Sequence, residues 1–176
     1  MKGNIHMIIR DATINDTERL LNIYAYYVKN TAISFEYKVP SVEEFQSRIV
    51  NTLKKYPYLV IEEDGEIKGY AYAGAFHPRA AYSHCCELSI YLDYQEKHHG
   101  YGRALYEELE KRLREMGILN LYACIGYPIE EDEYLTHDSY NFHTRVGYTK
   151  VAHLKGVGKK YDRWYDLIWM QKIINE

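Results

Sequence analysis

The chain has 176 residues, 47% hydrophobic and 27% charged, the composition of one folded domain over residues 1–176 rather than of a disordered tail, a collagen-like repeat or a bundle of membrane spans. Lys and Arg number 22 against 25 Asp and Glu, a formal charge of −3, too small for a general electrostatic grip on nucleic acid or a membrane surface. In chain order, HMIIR is predicted as a first strand. Asn15-Asp16-Thr17-Glu18 then offers a capping box before Leu20, Ile23, Tyr24 and Tyr27 at helical spacing. Ser41-Val42-Glu43-Glu44 repeats that signature ahead of Phe45, Ile49 and Leu53. Two apolar runs around Asp64-Gly65 predict a β-hairpin, because that pair tolerates the positive φ angles of a tight turn. A strand over Glu87 to Leu92 leads through a polar loop to Gly100, and Leu105, Leu109, Leu113 and Met116 mark a helix ended by Gly117. LNLYACIGY is the next strand, which closes a right-handed βαβ crossover. A short helix from Ser139 to Arg145, a strand from Tyr148 and a last strand, RWYDLIWMQKI, complete the chain.

Cys85, Cys86 and Cys124 form neither a disulfide set nor a spaced metal site, and adjacency strains any bridge between the first two. No segment near Met1 has the apolar length of a signal peptide, and no window approaches a membrane helix. A cytoplasmic protein with free thiols is expected. The composition is unusual in its 20 tyrosines; a ring with a polar tip belongs at pocket walls or subunit contacts, so these are expected there rather than deep inside.

The segment KHHGYGRAL, Lys97 to Leu105, carries the chemistry. Two glycines one residue apart, after a strand and at the mouth of a helix, let the backbone approach a ligand and leave N–H groups aimed at it, a nest for phosphate. It is not a Walker loop, since no Gly-Lys-Ser/Thr follows, and not a dinucleotide fingerprint, since Leu105 replaces the third glycine. A pyrophosphate site in an α+β fold remains.

With SIYL before it, this segment resembles the acyl-CoA signature of the GCN5-related N-acetyltransferase (GNAT) superfamily. Together with YPYLVIEEDGEIKGYAYAG, ACIGYP, SYNFHTRVGY and DRWYDLIWMQK it looks like the phosphinothricin and methionine sulfoximine acetyltransferase branch, over nearly the whole chain. The resemblance implies a three-layer α/β arrangement: a mixed, mostly antiparallel sheet with one splayed parallel strand pair and helices on both faces. It implies acetyl-CoA as the acetyl donor and no metal. Backbone groups of Ile90, Tyr91 and Leu92 would hold the pantetheine arm. Lys97, His98, His99, Gly100, Tyr101, Gly102 and Arg103 would hold the pyrophosphate, and Thr136 stands where a cofactor-contacting Asn is common. Glu87 would be the general base that takes the ammonium proton before the amine attacks the thioester, and His143 the acid for the departing thiolate. Arg79 would fork onto a substrate carboxylate, with Phe35 and Tyr82 as pocket walls. A homodimer is implied as well.

Each assignment has a plainer counterpart. Glu87 alone reads as a strand residue in a surface ion pair, His143 as a helix-face histidine and Arg79 as a solvated loop arginine. His84, His98 and His99 lie near the cysteines in sequence but lack ligand spacing, and Cys124 reads as a packed thiol. Acetylation of a protein N-terminus or a polyamine, and a non-catalytic CoA sensor, stand as alternatives. The acidic stretch PIEEDEYLTHD is expected to bear on specificity.

Overall fold

A computed structural model describes residues 7–96 and 98–174; His6 of the predicted first strand and Lys97 of the glycine loop lie outside them. The chain opens with β1 (Met7–Asp11) and a 3-10 turn at Ile14–Asp16, then α1 (Thr17–Asn30). The cap differs from the one expected. Thr13 and Asp16, not Asn15 and Glu18, form the reciprocal box, and Asp16 is tied down further by Arg10 at 2.8 Å. In α2 (Val42–Leu53) the Ser41 hydroxyl accepts from the Glu44 N–H, as expected.

The hairpin β2 (Tyr58–Glu63) and β3 (Glu66–Ala75) turns at Asp64 and Gly65, whose φ angles of 51° and 83° are those the sequence required. β4 (Cys85–Leu92) begins two residues earlier than read, followed by α3 (Tyr101–Glu115), β5 (Asn120–Tyr127), α4 (Asp138–Arg145), β6 (Thr149–Lys160) and β7 (Arg163–Ile173). The seven strands make one sheet in the order β1-β2-β3-β4-β5-β7-β6, antiparallel except where β4 meets β5. The expected mixed sheet, parallel pair and helices on both faces are all present.

Alternation along the strands divides the core in two. Leu59 and Ile61 of β2 point to the face covered by α3, where Leu105, Leu109 and Leu113 are completely buried. Tyr58 and Val60 point to the opposite face, against Leu20, Ile23 and Tyr24 of α1 and Phe45 and Ile49 of α2. Two expectations are corrected. Met116 is 48% exposed, because α3 ends at Glu115 and the chain reverses at Gly117 with φ of 77°. Tyr70, Tyr101, Tyr106 and Tyr148 are among the most deeply buried side chains. For three of the four the hydroxyl finds a partner inside: Tyr101 in Glu63, Tyr106 in His143 and Tyr148 in Glu110. The three cysteines are free.

Candidate active site

The parallel pairing of β4 and β5 is short. It runs from Cys85 opposite Asn120 to Glu87 opposite Tyr122, and there it stops. β4 goes on beside β3 as far as Leu92, and β5 stays with β7 as far as Tyr127, so the two strands are led apart by their outer partners. The space between them is a cavity of about 60 Å³ that opens to solvent, lined by Leu88 to Tyr91 on one side and Ala123 to Gly126 on the other. Beneath it, Tyr106 of α3 and Phe142 and His143 of α4 form a packed aromatic wedge. Between the strands lies an edge without a strand partner, the form of backbone that accepts an extended ligand as an added strand.

At the mouth of the cleft Gly100 adopts φ of 80° and caps α3, whose first turn carries no acidic residue to compete for an anion. His98 is also left-handed, at φ of 67°, and the His99 ring stacks on Tyr101 at 5.3 Å. The Tyr101 hydroxyl is committed to Glu63, so the polar group it has left for the loop is its backbone N–H. Arg103 is exposed. Thr136 is exposed too, and its hydroxyl accepts from the Asp138 N–H at the start of α4. Gly102 is a close approach: a Cβ there would lie 3.0 Å from the Phe142 ring and 3.6 Å from Ile90. The positive-φ loop and the acid-free helix start fit a pyrophosphate, while the missing Cβ of Gly102 lets α3 pack against Phe142 at the floor of the cleft. Gly102→Val, which must push the Phe142 ring and Ile90 aside, is expected to weaken acetyl-CoA binding about 30-fold, the equivalent of about 2 kcal/mol. Gly117→Ala, at a positive φ far from the cleft, should cost about 1 kcal/mol of stability and no affinity. Calorimetric titration of both variants with acetyl-CoA separates local blockage from general destabilisation.

Glu87 is the last β4 residue paired with β5, so its side chain leaves the sheet where the strands part. It is half-buried, and that desolvation raises its pKa above the ordinary carboxylate value, opposed in part by His77. No ion pair binds it among the described residues, which removes the surface-pair alternative. Cys124 faces the same region; burial first, then the charge of Glu87, lifts its thiol to about 12 and keeps it protonated. His143 is 3% exposed. Its Nδ1 lies 2.7 Å from the Ser139 carbonyl, which can only accept, so Nδ1 carries the proton and Nε2 accepts from the Tyr106 hydroxyl at 2.8 Å. Burial lowers its pKa to about 4 and leaves it neutral at pH 7. Tyr106, Ser139 and Ser89 line the cleft, and the sequence alone does not point to them. Tyr106 follows the apolar Leu105 on a core helix, and nothing in that local pattern marks it as a cleft residue.

Residues 9–169 match the family described as Acetyltransferase (GNAT) domain. The chain belongs to the GNAT family. It is 34% identical over 169 residues to a phosphinothricin N-acetyltransferase of Alcaligenes faecalis, covering 96% of this chain and 81% of the relative. It is 32% identical over 165 residues to an L-methionine sulfoximine/L-methionine sulfone acetyltransferase of Pseudomonas paraeruginosa, covering 93% and 92%. A GNAT phosphinothricin acetyltransferase from Sinorhizobium meliloti, solved in complex with acetyl-CoA, superposes with a TM-score of 0.88 at 32% identity over 97% of this chain and 89% of that one. The protein is thus a GNAT N-acetyltransferase of the phosphinothricin acetyltransferase-like branch, with acetyl-CoA as its cosubstrate.

Within this GNAT domain the three residues expected around the acceptor are scattered. The Phe35 ring covers the backbone at Gly126, on the cleft wall, and at Gly158 of β6, where any Cβ would meet it at 2.3 Å. Arg79 begins the exposed 3-10 turn Ala80–Tyr82 and does not line the cleft between β4 and β5. Tyr82 packs on Phe76 and His77, and Phe76 stacks on Tyr122 at 4.3 Å. The loop carrying Phe35 is pinned from inside: the buried Lys160 donates to the carbonyls of Val28 at 2.8 Å and Ser34 at 2.7 Å. In the acidic stretch 128–138 much of the charge is already paired. Asp132 accepts from the N–H groups of Tyr134 and Leu135 and, with Glu133, binds Arg163. Among the described residues no three His, Cys, Asp or Glu side chains gather as a metal site, and no helix is long and apolar enough to cross a membrane.

Proposed function

We propose that the chain moves the acetyl group of acetyl-CoA directly to the primary amine of a small amino-acid-like substrate, with Glu87 as the general base. The observation that carries this reading is the position of Glu87 at the parting of β4 and β5. An amine approaching the cleft there meets a half-buried carboxylate whose pKa is raised toward that of a useful base. The unpaired edge of β4 over Ile90, Tyr91 and Leu92 and the nest from His98 to Arg103 are suited to hold the donor. His143 is assigned to the sulfur end. Its Nε2 and the Tyr106 hydroxyl form one hydrogen-bonded pair on the cleft wall; burial raises the Tyr106 phenol pKa, so this neutral pair stabilises a departing thiolate through a hydrogen bond from the Tyr106 O–H, and the thiolate leaves without taking that proton. Arg79 is the proposed contact for a substrate carboxylate, and Phe35 and Tyr82, on separate elements, are the proposed walls of the acceptor pocket. The exposed β6 and the aromatic surface of Phe76, Tyr82 and Tyr122 suit a homodimer contact.

Release of free thiol from acetyl-CoA tests the reaction, measured with methionine sulfone, methionine sulfoximine, phosphinothricin, the common amino acids, polyamines and short peptides. Transfer to an amino-acid-like amine, weakened at least tenfold in KM by Arg79→Ala, is the expected result. Transfer to polyamines or peptides alone overturns the acceptor class, and saturable acetyl-CoA binding without transfer to any amine overturns the enzyme reading in favour of a sensor.

A further inference from the structure

The face of the sheet covered by α1 and α2 holds a second cavity of about 400 Å³, within the range of small-molecule sites. Its walls are rings: Tyr24, Phe45, Tyr58, Tyr70, Tyr72 and Tyr91. Strand register explains the arrangement. Tyr58, Tyr72 and Ser89 lie opposite one another across β2, β3 and β4, and Val60, Tyr70 and Tyr91 make the next row. Tyr58 and Tyr72 stack with centroids 4.7 Å apart and planes 13° from parallel, and Tyr58 and Tyr70 stack at 5.6 Å.

Three features define what the cavity takes. First, Tyr58 and Tyr70 are 2% and 1% exposed, and their hydroxyls form no hydrogen bond with any described residue. No described side-chain N or O is both sealed from solvent and unpartnered, so these two oxygens keep a little accessible surface, and both residues line the cavity, where a polar ligand atom finds their hydroxyls unpaired. Burial raises both phenols well above their usual pKa, so they stay neutral. Second, the one charged lining residue, Arg48, is already held by Glu36 at 2.7 Å and by Glu44; the cavity offers no spare cation for a phosphinate and no spare carboxylate for a polyamine. Third, the cavity borders the cleft. Tyr91 lines both spaces, and the row from Tyr58 through Tyr72 ends at Ser89, a cleft residue. Ser89 lies on the same face of β4 as Glu87, about 7 Å along the strand, and Tyr72 feels the charge of Glu87.

We infer that this cavity is the side-group pocket for an acetyl acceptor bearing a neutral, flat aryl or heteroaryl group, seated on the tyrosine stack with its amine extended over Ser89 toward Glu87. The inference rests on the transfer reaction proposed above and narrows its substrate class. Rings pack favourably on rings, offset or edge-on, and a hydroxyl or ring nitrogen on the acceptor would pair with Tyr58 or Tyr70.

The test compares phenylalanine, tyrosine, tryptophan, histidine and phenethylamine with methionine sulfone and phosphinothricin as acceptors, using the full chain and acetyl-CoA. The aryl amino acids are expected to give at least tenfold higher kcat/KM than either non-aryl compound, with phenethylamine, which lacks the carboxylate proposed to meet Arg79, below phenylalanine. Thr52→Trp, at the rim, fills the mouth and should raise the aryl KM at least tenfold; Tyr70→Phe, which removes only the oxygen, should raise KM up to about tenfold for acceptors with a polar ring atom and leave phenethylamine unchanged. Thermal melting of both variants checks that they fold, and the selective response to Tyr70→Phe is not something general destabilisation produces. Transfer to methionine sulfone at the highest kcat/KM, indifferent to Thr52→Trp, overturns the inference and keeps the proposed reaction. Absence of transfer to every amine, with acetyl-CoA bound, overturns both.

Discussion

Glu87→Gln is expected to lower kcat/KM at pH 7 by 10²- to 10⁴-fold, roughly the worth of a positioned general base, while acetyl-CoA affinity stays the same. Glutamine keeps the volume and an acceptor oxygen but cannot take the ammonium proton. The pH profile is the more specific readout. A base works only when deprotonated, and burial has moved the Glu87 pKa upward, so wild-type kcat/KM should fall as pH drops through a value above the usual 4.5. In the variant that limb should vanish, leaving a rate that follows the small free-amine fraction of the substrate. Steady-state thiol release between pH 5 and 9 measures both. A variant with the wild-type rate and the wild-type acid limb sinks the assignment of the base.

The second large effect concerns stability. Burial lowers the pKa of His143 from the ordinary histidine value of 6.5 to about 4 in the folded chain. The unfolded chain therefore binds more protons between these values, and stability rises with pH across that window. Stability that is fully present above pH 6.5 is lost as the pH falls toward 4, by about 3 kcal/mol from this one group. His143→Gln, which keeps a partner for the Tyr106 hydroxyl, should be less stable at pH 7 yet lose far less on acidification. Urea unfolding at pH 7.5, 6, 5 and 4.5 reads the slope. Parallel slopes in the two proteins would mean that the imidazole titrates normally in the fold, which contradicts its enclosure between Tyr106, Phe142 and Tyr148.

Much of the architecture was legible because it depends on local chemistry. Asp64-Gly65 can make a tight hairpin turn whatever surrounds it, Ser41 caps α2 with its own hydroxyl, and Leu105, Leu109 and Leu113 align on one helix face wherever the helix lies. The glycine loop before α3 was legible for the same reason, since a positive φ at Gly100 and close backbone approach at Gly102 are properties of glycine itself. At the start of α1 the expected box does not form: the Thr13 N–H and the Arg10 guanidinium, six residues before it on β1, hold Asp16 instead. Met116 fitted the helical spacing but lies beyond the last turn, a boundary set by the chain reversal at Gly117.

By itself the sequence determined the order of strands and helices, the glycine loop before α3, the free thiols and, through ordered motifs along the chain, the GNAT family. Tertiary structure decided where β4 and β5 cease to pair, because that depends on β3 and β7 holding them from outside. It also decided that His143 is neutral and shares its Nε2 with Tyr106 from another helix, and that tyrosines from α1, β2, β3 and β4 enclose one cavity. Each of these joins side chains far apart in the chain. Residue type and local spacing specify turns, caps and faces, whereas a cleft is the space left between elements and takes its shape from how they pack.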